Sequence, residues 1–207
     1  MWLLALLLAV PETRVAETPV PAPLPIEQVM VSPLFRESFT CAEHYEGELD
    51  YPGDALGTDC EVVGGVDPRS PKGFQRTFRT DGMTNEDWYG WGVEVLAPFD
   101  GKVARVIAND VVNPPGQFGK PPAAILAFER EDGVVVLYGH VADVRVQQGD
   151  HVHAGQVVAV VGNNGISRNP HIHVGALRDG TPLQIRWDLR AMGEMRRQTD
   201  AEAPAGD

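Results

Sequence analysis

From about residue 90 onward, apolar and polar residues alternate over short runs, and glycine, asparagine or aspartate stands at the ends of these runs. Alternation over four to eight residues is the pattern of a strand with one buried face. Turn residues at both ends favour strands that are joined by short loops. The runs with this pattern are VEVLAP (93–98), KVARVI (102–107), AAILAFER (123–130), GVVVLYGHV (133–141), two short segments within 144–162, and PHIHVGAL (170–177).

The connections between these runs support an all-β fold. Asp132-Gly133 separates two of them and is a strong signal for a hairpin turn. A long Gly/Pro loop covers residues 113–122, and only residues 188–197 have a helical pattern. A weak echo between the Val-rich runs near 95–106 and 146–161 suggests a duplicated sheet. We therefore predict an all-β domain, an antiparallel sandwich or barrel-sandwich with long Gly/Pro loops and a short C-terminal helix.

The composition argues against a nucleic-acid-binding protein and against a membrane-spanning one. The chain has 207 residues with 17 Lys and Arg against 29 Asp and Glu, a net charge of −12. This balance argues against nucleic acid as a partner, because phosphate binding needs a basic surface. No apolar run reaches the roughly 18 residues of a membrane span, so we predict no stable span after processing.

The termini predict the organisation of the chain. The short apolar segment MWLLALLLAV is typical of a secretory signal, and we predict a signal peptide over 1–16 and export to the periplasm, the extracellular space or the cell envelope. A Pro-rich linker is predicted over 17–33, a folded domain over 34–190 with its core at 85–176, and a flexible tail over 191–207.

The chain has two cysteines, Cys41 and Cys60. In an exported protein a disulfide between them is the leading interpretation. Free buried thiols and metal ligation remain alternatives, although no CxxC spacing supports a metal site.

Histidines are the main candidates for chemistry. His171 and His173 are two residues apart in a predicted strand, so both side chains point to the same face, about 7 Å apart. His140 stands at the end of another predicted strand. The alternative is a pair of solvated side chains on an outer face. By contrast, His151 and His153 lie between two turn glycines and are expected to be exposed.

The order of these motifs resembles the lysostaphin/LytM-type zinc metallopeptidases. The segment LYGHVADVRVQQGDHVHAGQVVAVVGNNGISRNPHIHVGA (137–176) is similar to that family's run of Tyr-x-His-Leu, Gly-x-x-Val-x-x-Gly-Gln, Gly-x-x-Gly-x-Ser and Pro-His-Leu-His blocks. GVEVLAPFDGKVARV (92–106) is similar to the block that precedes them. The resemblance implies the LytM fold, built on a duplicated hybrid motif, with one zinc ion as cofactor.

The resemblance also implies roles for the three histidines. His173 stands where the family has a zinc ligand. His140 and His171 stand where it has two histidines that assist the attacking water and the tetrahedral intermediate. Zinc lowers the pKa of a bound water toward about 7, and imidazoles transfer protons near that pH, so these roles are chemically coherent.

The sequence departs from the family at the other two zinc ligands. The family carries His-x-x-x-Asp just upstream of the Gly-Thr-Pro block, but residues 80–92 contain no histidine. The segment PGDALGTDCEV (52–62) has a similar outline, which makes Asp59 and Asp54 the candidate ligands. His44 is an alternative source of the missing nitrogen. Aspartates in Gly-rich segments also serve turn geometry alone.

Two functions follow as hypotheses. The first is a zinc endopeptidase that cuts peptide cross-bridges of peptidoglycan, and the second is an inactive relative that binds wall peptides or regulates a partner hydrolase. A cupin-like metal protein is disfavoured, because no histidine follows His173.

Overall fold

The computed structural model describes residues 25–48, 51–65 and 73–202. The signal peptide predicted over 1–16 and the last residues of the predicted tail lie outside the described residues. Within them the chain forms β-strands, one short 3-10 helix (Asn85–Asp87) and one α-helix, α1 (Leu189–Glu202). The strands are β1 (Gln28–Val31), β2 (Phe39–Glu43), β3 (Thr58–Val62), β4 (Glu94–Leu96), β5 (Gly101–Ile107), β6 (Ile125–Glu129), β7 (Val134–Gly139), β8 (Val141–Ala142), β9 (His151–Val152), β10 (Val157–Val161), β11 (Ile172–Arg178), β12 (Thr181–Pro182) and β13 (Gln184–Trp187).

The strands form one large sheet and two small ones. The large sheet has the order β2-β3-β11-β7-β6-β5-β9, with β12 paired to β11. A three-stranded sheet has the order β4-β10-β8, and β1 pairs in parallel with β13. All other strand pairs are antiparallel. The prediction of a mostly antiparallel all-β fold with a short C-terminal helix is confirmed.

The hydrophobic core is built from alternate residues of the strands, as the period-two pattern predicts. Ile172, Val174 and Ala176 of β11 are fully buried on one face of the large sheet. Tyr138 of β7 is fully buried beside them, and its hydroxyl donates a hydrogen bond to the Leu96 carbonyl at 3.1 Å. This bond satisfies a polar group that would otherwise be costly to bury, and it links the large sheet to the three-stranded one.

Two predicted boundaries are corrected. The linker predicted over 17–33 does not extend that far, because Gln28–Val31 pair with β13 and bury Val29 and Val31. The tail predicted over 191–207 overlaps α1, which continues to Glu202. None of the described helices is both long enough and apolar enough to span a membrane.

The candidate metal-binding and catalytic side chains lie on the face of the sheet opposite the core. β11 lies between β3 and β7, with Ile172 opposite Cys60 and His173 opposite both Asp59 and Gly139. Because side chains alternate along a strand, the face that buries Ile172 leaves His173 of β11, and His171 just before the strand, on the other side. The predicted bridge between Cys41 and Cys60 is present and joins β2 to β3 directly across the pair.

Candidate metal centre

His173 lies between two carboxylates, one at each nitrogen of its ring. Its Nδ1 lies 2.9 Å from Oδ1 of Asp59, its direct neighbour on β3. Its Nε2 lies 3.2 Å from Oδ1 of Asp54 and 3.2 Å from the carbonyl oxygen of Gly53. Since every one of these neighbours is an acceptor, both ring nitrogens donate, and the ring has the form of an imidazolium.

Close backbone packing brings Asp54 to this position. Residues 51–57 lie flat against the outer face of the sheet, where Gly175 leaves room for them. A β-carbon on Gly175 would come within 2.1 Å of the Gly53 carbonyl oxygen. Gly53 itself has a positive φ of 96°, a conformation that favours glycine, and a side chain there would meet Leu137. These two glycines therefore set the height of Asp54 above the sheet.

His44 completes the group from the other side. It follows the end of β2, and its backbone N–H donates to the Gly57 carbonyl at 2.8 Å. Its Nε2 lies 3.5 Å from Oδ2 of Asp59, and its ring centroid lies 5.2 Å from that of His173. The disulfide at Cys41 fixes the strand from which His44 extends.

The charges of this group are strongly coupled. Burial opposes ionisation of Asp59, but the hydrogen bond from His173 and the charges of the neighbouring imidazoles outweigh it and lower the pKa of Asp59. Burial likewise disfavours the charged form of His173, yet the hydrogen bond to Asp59 and the two carboxylates raise its pKa. Burial raises the pKa of Asp54, with partial compensation from His173 and His44. The protonated ring of His173 is thus a positive charge between two carboxylates.

These residues fit a metal ion. Ligand atoms of His44, Asp54 and His173 lie within 4.8 Å of one another, and imidazole nitrogen and carboxylate oxygen are ordinary zinc ligands. Nδ1 of His44 and Oδ2 of Asp54 are buried without a hydrogen-bond partner. Unpaired buried polar atoms are rare and costly, so their presence here indicates a missing partner. A cation bound by this group would supply one.

His171 and His140 lie next to this group. Nδ1 of His171 lies 2.9 Å from the Asn169 carbonyl, and Nδ1 of His140 lies 2.8 Å from the Asn164 carbonyl. Because a carbonyl only accepts, each Nδ1 carries a proton. The two ring centroids are 4.7 Å apart, and Nε2 of His171 lies 3.6 Å from Oδ1 of Asp59.

His140 occupies a strained and buried position. Its φ is +64°, a left-handed conformation that is uncommon for a residue with a β-carbon. Burial, reinforced by the nearby His171, lowers the pKa of His140 to about 3. Asn164 holds the local backbone, because its side chain accepts from the Ala124 N–H at 2.7 Å and donates to the Val141 carbonyl at 2.9 Å. Strain that the surroundings enforce at one residue is a feature of functional sites.

All these side chains face one cleft. It has a volume of about 800 Å³, and the candidate ligand group, His140 and His171 line it. The opposite wall includes the exposed Phe118 and Ile166 and the guanidinium of Arg168, which lies 5.4 Å from the Phe118 ring centroid. The cleft is therefore mostly apolar, with charged and titratable groups on the sheet side.

The structure brings together all five residues that the sequence singles out: His140, His171, His173, Asp54 and Asp59. It adds His44, which the sequence leaves as an alternative. It keeps His151 and His153 away from the cleft, and both are exposed, as expected. The segment that begins at Asn85 is structural. The Asn85 side chain is buried and donates to the Asn113 carbonyl, while Asp87 accepts from the Thr80 and Gly82 N–H groups.

Comparisons with known proteins find peptidases among the similar sequences. DD-carboxypeptidase/endopeptidase Mpg from Neisseria meningitidis serogroup B and its counterpart from Neisseria gonorrhoeae are each 33% identical to this chain over 92 residues. The aligned segment covers 44% of this chain and 21% of each relative, so this chain spans about a fifth of the length of these curated relatives.

Solved structures with similar folds include two peptidase domains. The catalytic domain of the prophage-encoded M23 protein EnpA from Enterococcus faecalis has a TM-score of 0.45 at 20% identity, over 73% of this chain and 92% of that chain. The catalytic domain of lysostaphin from Staphylococcus simulans has a TM-score of 0.42 at 17% identity, over 68% of this chain and 81% of that chain.

A family model also matches part of the sequence. Residues 89–185, just under half of the chain, match the model of peptidase family M23. This range contains His140, His171 and His173, whereas His44, Asp54 and Asp59 precede it. This part of the chain is therefore similar to peptidase family M23.

Proposed function

We propose that this protein is a zinc-dependent endopeptidase that cuts peptide cross-bridges of peptidoglycan. The observation that carries the proposal is the grouping of His44, Asp54, Asp59 and His173 beside His171 and His140, whose Nδ1 atoms donate to backbone carbonyls. A pure binding module needs neither the buried unpaired ligand atoms nor a second pair of imidazoles. The proposed setting is the cell envelope, reached by export, with the peptide lying along the cleft.

His44 and His173 supply the nitrogens of the proposed zinc site. The carboxylates of Asp54 and Asp59 flank the two ring nitrogens of His173, so either carboxylate would be available as a ligand beside that ring. The other carboxylate would accept a hydrogen bond from the remaining ring N–H and orient the ring, as carboxylates do in many zinc sites. Bound zinc supplies an acidified water and a Lewis acid for the scissile carbonyl.

The proton transfers fall to His171 and His140. Nε2 of His171 faces the ligand group, 3.6 Å from Oδ1 of Asp59, so it is placed to take a proton from water next to that group. Its proton on Nδ1 stays with the Asn169 carbonyl, which fixes the tautomer. His140 is neutral at physiological pH because its pKa is low. Its Nε2 therefore accepts a hydrogen bond from water or substrate and orients it without becoming charged.

A peptide substrate fits the shape and composition of the cleft. The apolar wall at Phe118 and Ile166 suits the backbone and small side chains of a short bridge peptide, and the volume suffices for several residues. The names of the Neisseria relatives, which describe carboxypeptidase and endopeptidase activities, support a peptide bond as the target.

An inactive relative that binds wall peptides or regulates a partner hydrolase is the second candidate. The observation that favours it is the segment 80–92, where the family's His-x-x-x-Asp pair is absent. In this chain the replacement ligands come from residues 44–59. The two candidates differ in turnover and share the same cleft.

The direct experiment measures release of soluble fragments from purified peptidoglycan by the zinc-loaded protein. The proposal predicts hydrolysis that a chelator stops and that added zinc restores. His171→Ala is expected to lower turnover about 10²- to 10⁴-fold with zinc retained, which is the usual contribution of a general base. His153→Ala, an exposed histidine outside the cleft, is the matched control and should behave as wild type. Zinc-loaded wild type that binds peptidoglycan without releasing fragments would favour the regulator.

A further inference from the structure

Glu61 is a third carboxylate on the sheet face of the cleft, and it lies outside the proposed metal group. It is two residues after Asp59 on β3, so both side chains point to the same face. The β3–β11 register pairs Asp59 with His173 and Cys60 with Ile172. The next pair in this register is Glu61 and His171, so Glu61 lies beside His171.

The loop before β11 holds Glu61 in place. The side-chain amide of Asn169 donates to Oε1 of Glu61, while the carbonyl of the same residue accepts from Nδ1 of His171. One residue therefore fixes both the carboxylate and the assisting histidine. Glu61 is half-buried and lines the cleft.

Glu61 has no Lys or Arg partner among the residues that the structure describes, and its basic neighbour is the imidazole of His171. No Lys or Arg of the described ranges forms an ion pair with it, and Arg168, on the cleft wall, lies over the Phe118 ring. Partial burial of a carboxylate without a Lys or Arg partner is unfavourable. A cationic group that enters the cleft would offset this cost.

We propose that Glu61 determines substrate specificity by binding a primary ammonium group of the peptide. This inference rests on the proposed function and assigns its substrate class. Side chains two residues apart on a strand are separated by about 7 Å. In an extended peptide this is roughly the distance from a scissile carbonyl to the α-amino group of the preceding residue. Peptides with a free amine one residue before the cut are therefore the preferred substrates.

The test compares tetraglycine amide, which has a free amino terminus, with N-acetyl tetraglycine amide. Dissociation constants are measured with protein kept in chelator, and kcat/KM is measured with zinc-loaded protein. Wild type is expected to bind the free amine at least about tenfold more tightly, the order of effect of a charged hydrogen bond. Glu61→Gln should bring the ratio close to one, because glutamine keeps an acceptor for Asn169 but loses the charge.

Two further variants distinguish an effect of the Glu61 charge from an effect of altered structure. Glu61→Asp keeps the carboxylate and should retain part of the preference, while Glu131→Gln, at an exposed turn far from the cleft, should leave it unchanged. Equal affinities of wild type for the two peptides, no binding of either, or a preference that survives Glu61→Gln would each overturn the inference. A Glu61-dependent preference in binding without hydrolysis by the zinc-loaded protein would contradict the proposed function and leave this inference standing.

Discussion

At the residue scale, the unusual feature is a histidine whose two nitrogens both face acceptors. His173 has Asp59 at Nδ1 and Asp54 at Nε2. A proton on the ring therefore offsets part of the negative charge of these two carboxylates, as a bound metal ion would. Metal ligation needs one of these nitrogens deprotonated, which couples metal affinity to pH. The motif His-x-His predicts neither carboxylate. It predicts only that two imidazoles share a face, and His151 with His153 shows that the same spacing also occurs in an exposed segment.

The pKa of His140 makes a separate prediction about acid stability. In the unfolded chain this histidine titrates near 6.5, but in the folded protein its pKa is about 3. Between these values the unfolded state binds a proton that the folded state does not, so the free energy of unfolding falls as pH is lowered from 6.5 toward 3. His140→Gln removes this contribution. The pH dependence of unfolding free energy should become shallower, by at most about 1.4 kcal/mol per pH unit.

Urea unfolding in chelator at pH values from 4 to 6.5 measures this difference. His153→Ala serves as the control and should keep the wild-type slope, since that side chain is exposed. Parallel curves for wild type and His140→Gln would show that the residue titrates normally in the folded protein.

At the element scale, the site depends on pairings between short strands that have little signal in the sequence. The long runs in β7 and β11 alternate clearly and predict their strands. β2 and β3 contain few apolar residues, and only the cysteine pair indicates that they lie together. Once Cys41 is taken to lie opposite Cys60, an antiparallel register brings His44 opposite Gly57, close to Asp59. The disulfide was therefore the signal by which His44 could have been found.

The loop that carries Asp54 depends equally on Gly175. In Gly175→Ala the new β-carbon would lie 2.1 Å from the Gly53 carbonyl oxygen, so the loop must move. We expect a loss of about 1–3 kcal/mol in unfolding free energy, as is usual for overpacking, together with weaker zinc binding because Asp54 moves with the loop. Urea unfolding and a zinc titration measure the two effects.

Gly193→Ala is the matched control. Gly193 lies in α1, and its nearest neighbour for a β-carbon is the Arg197 side chain at 3.5 Å. Alanine there should stabilise the helix by up to about 1 kcal/mol and leave zinc affinity unchanged. Wild-type zinc affinity in Gly175→Ala would mean that the loop position does not matter for the site.

At the scale of the whole molecule, the sequence predicts the fold class and the central strands, because period-two alternation and Gly turns are local signals. It does not predict β1, which lies in a Pro-rich segment and gains its order from pairing with β13 at the other end of the chain. The candidate zinc ligands are likewise assembled from residues 44–59 and 173, and no local pattern encodes such distant contacts.

The role of β1 predicts where the domain begins. A chain that starts at residue 34 lacks β1 and exposes the core surface that Val29 and Val31 cover. Compared with a chain that starts at residue 25, it should lose about 3 kcal/mol or more of unfolding free energy, since burying one valine contributes about 1.5 kcal/mol or more. Thermal and urea unfolding of the two chains give the comparison, and equal stabilities would place β1 outside the folding unit.

The zinc content of purified protein after loading and dialysis tests the central claim most directly. Wild type should retain about one zinc per chain, His44→Ala and His173→Ala should retain none, and His153→Ala should match wild type. Of Asp54→Asn and Asp59→Asn, the variant that loses more zinc identifies the ligand carboxylate. A wild-type chain that retains no zinc, or His44→Ala and His173→Ala chains that retain as much as wild type, would contradict the account.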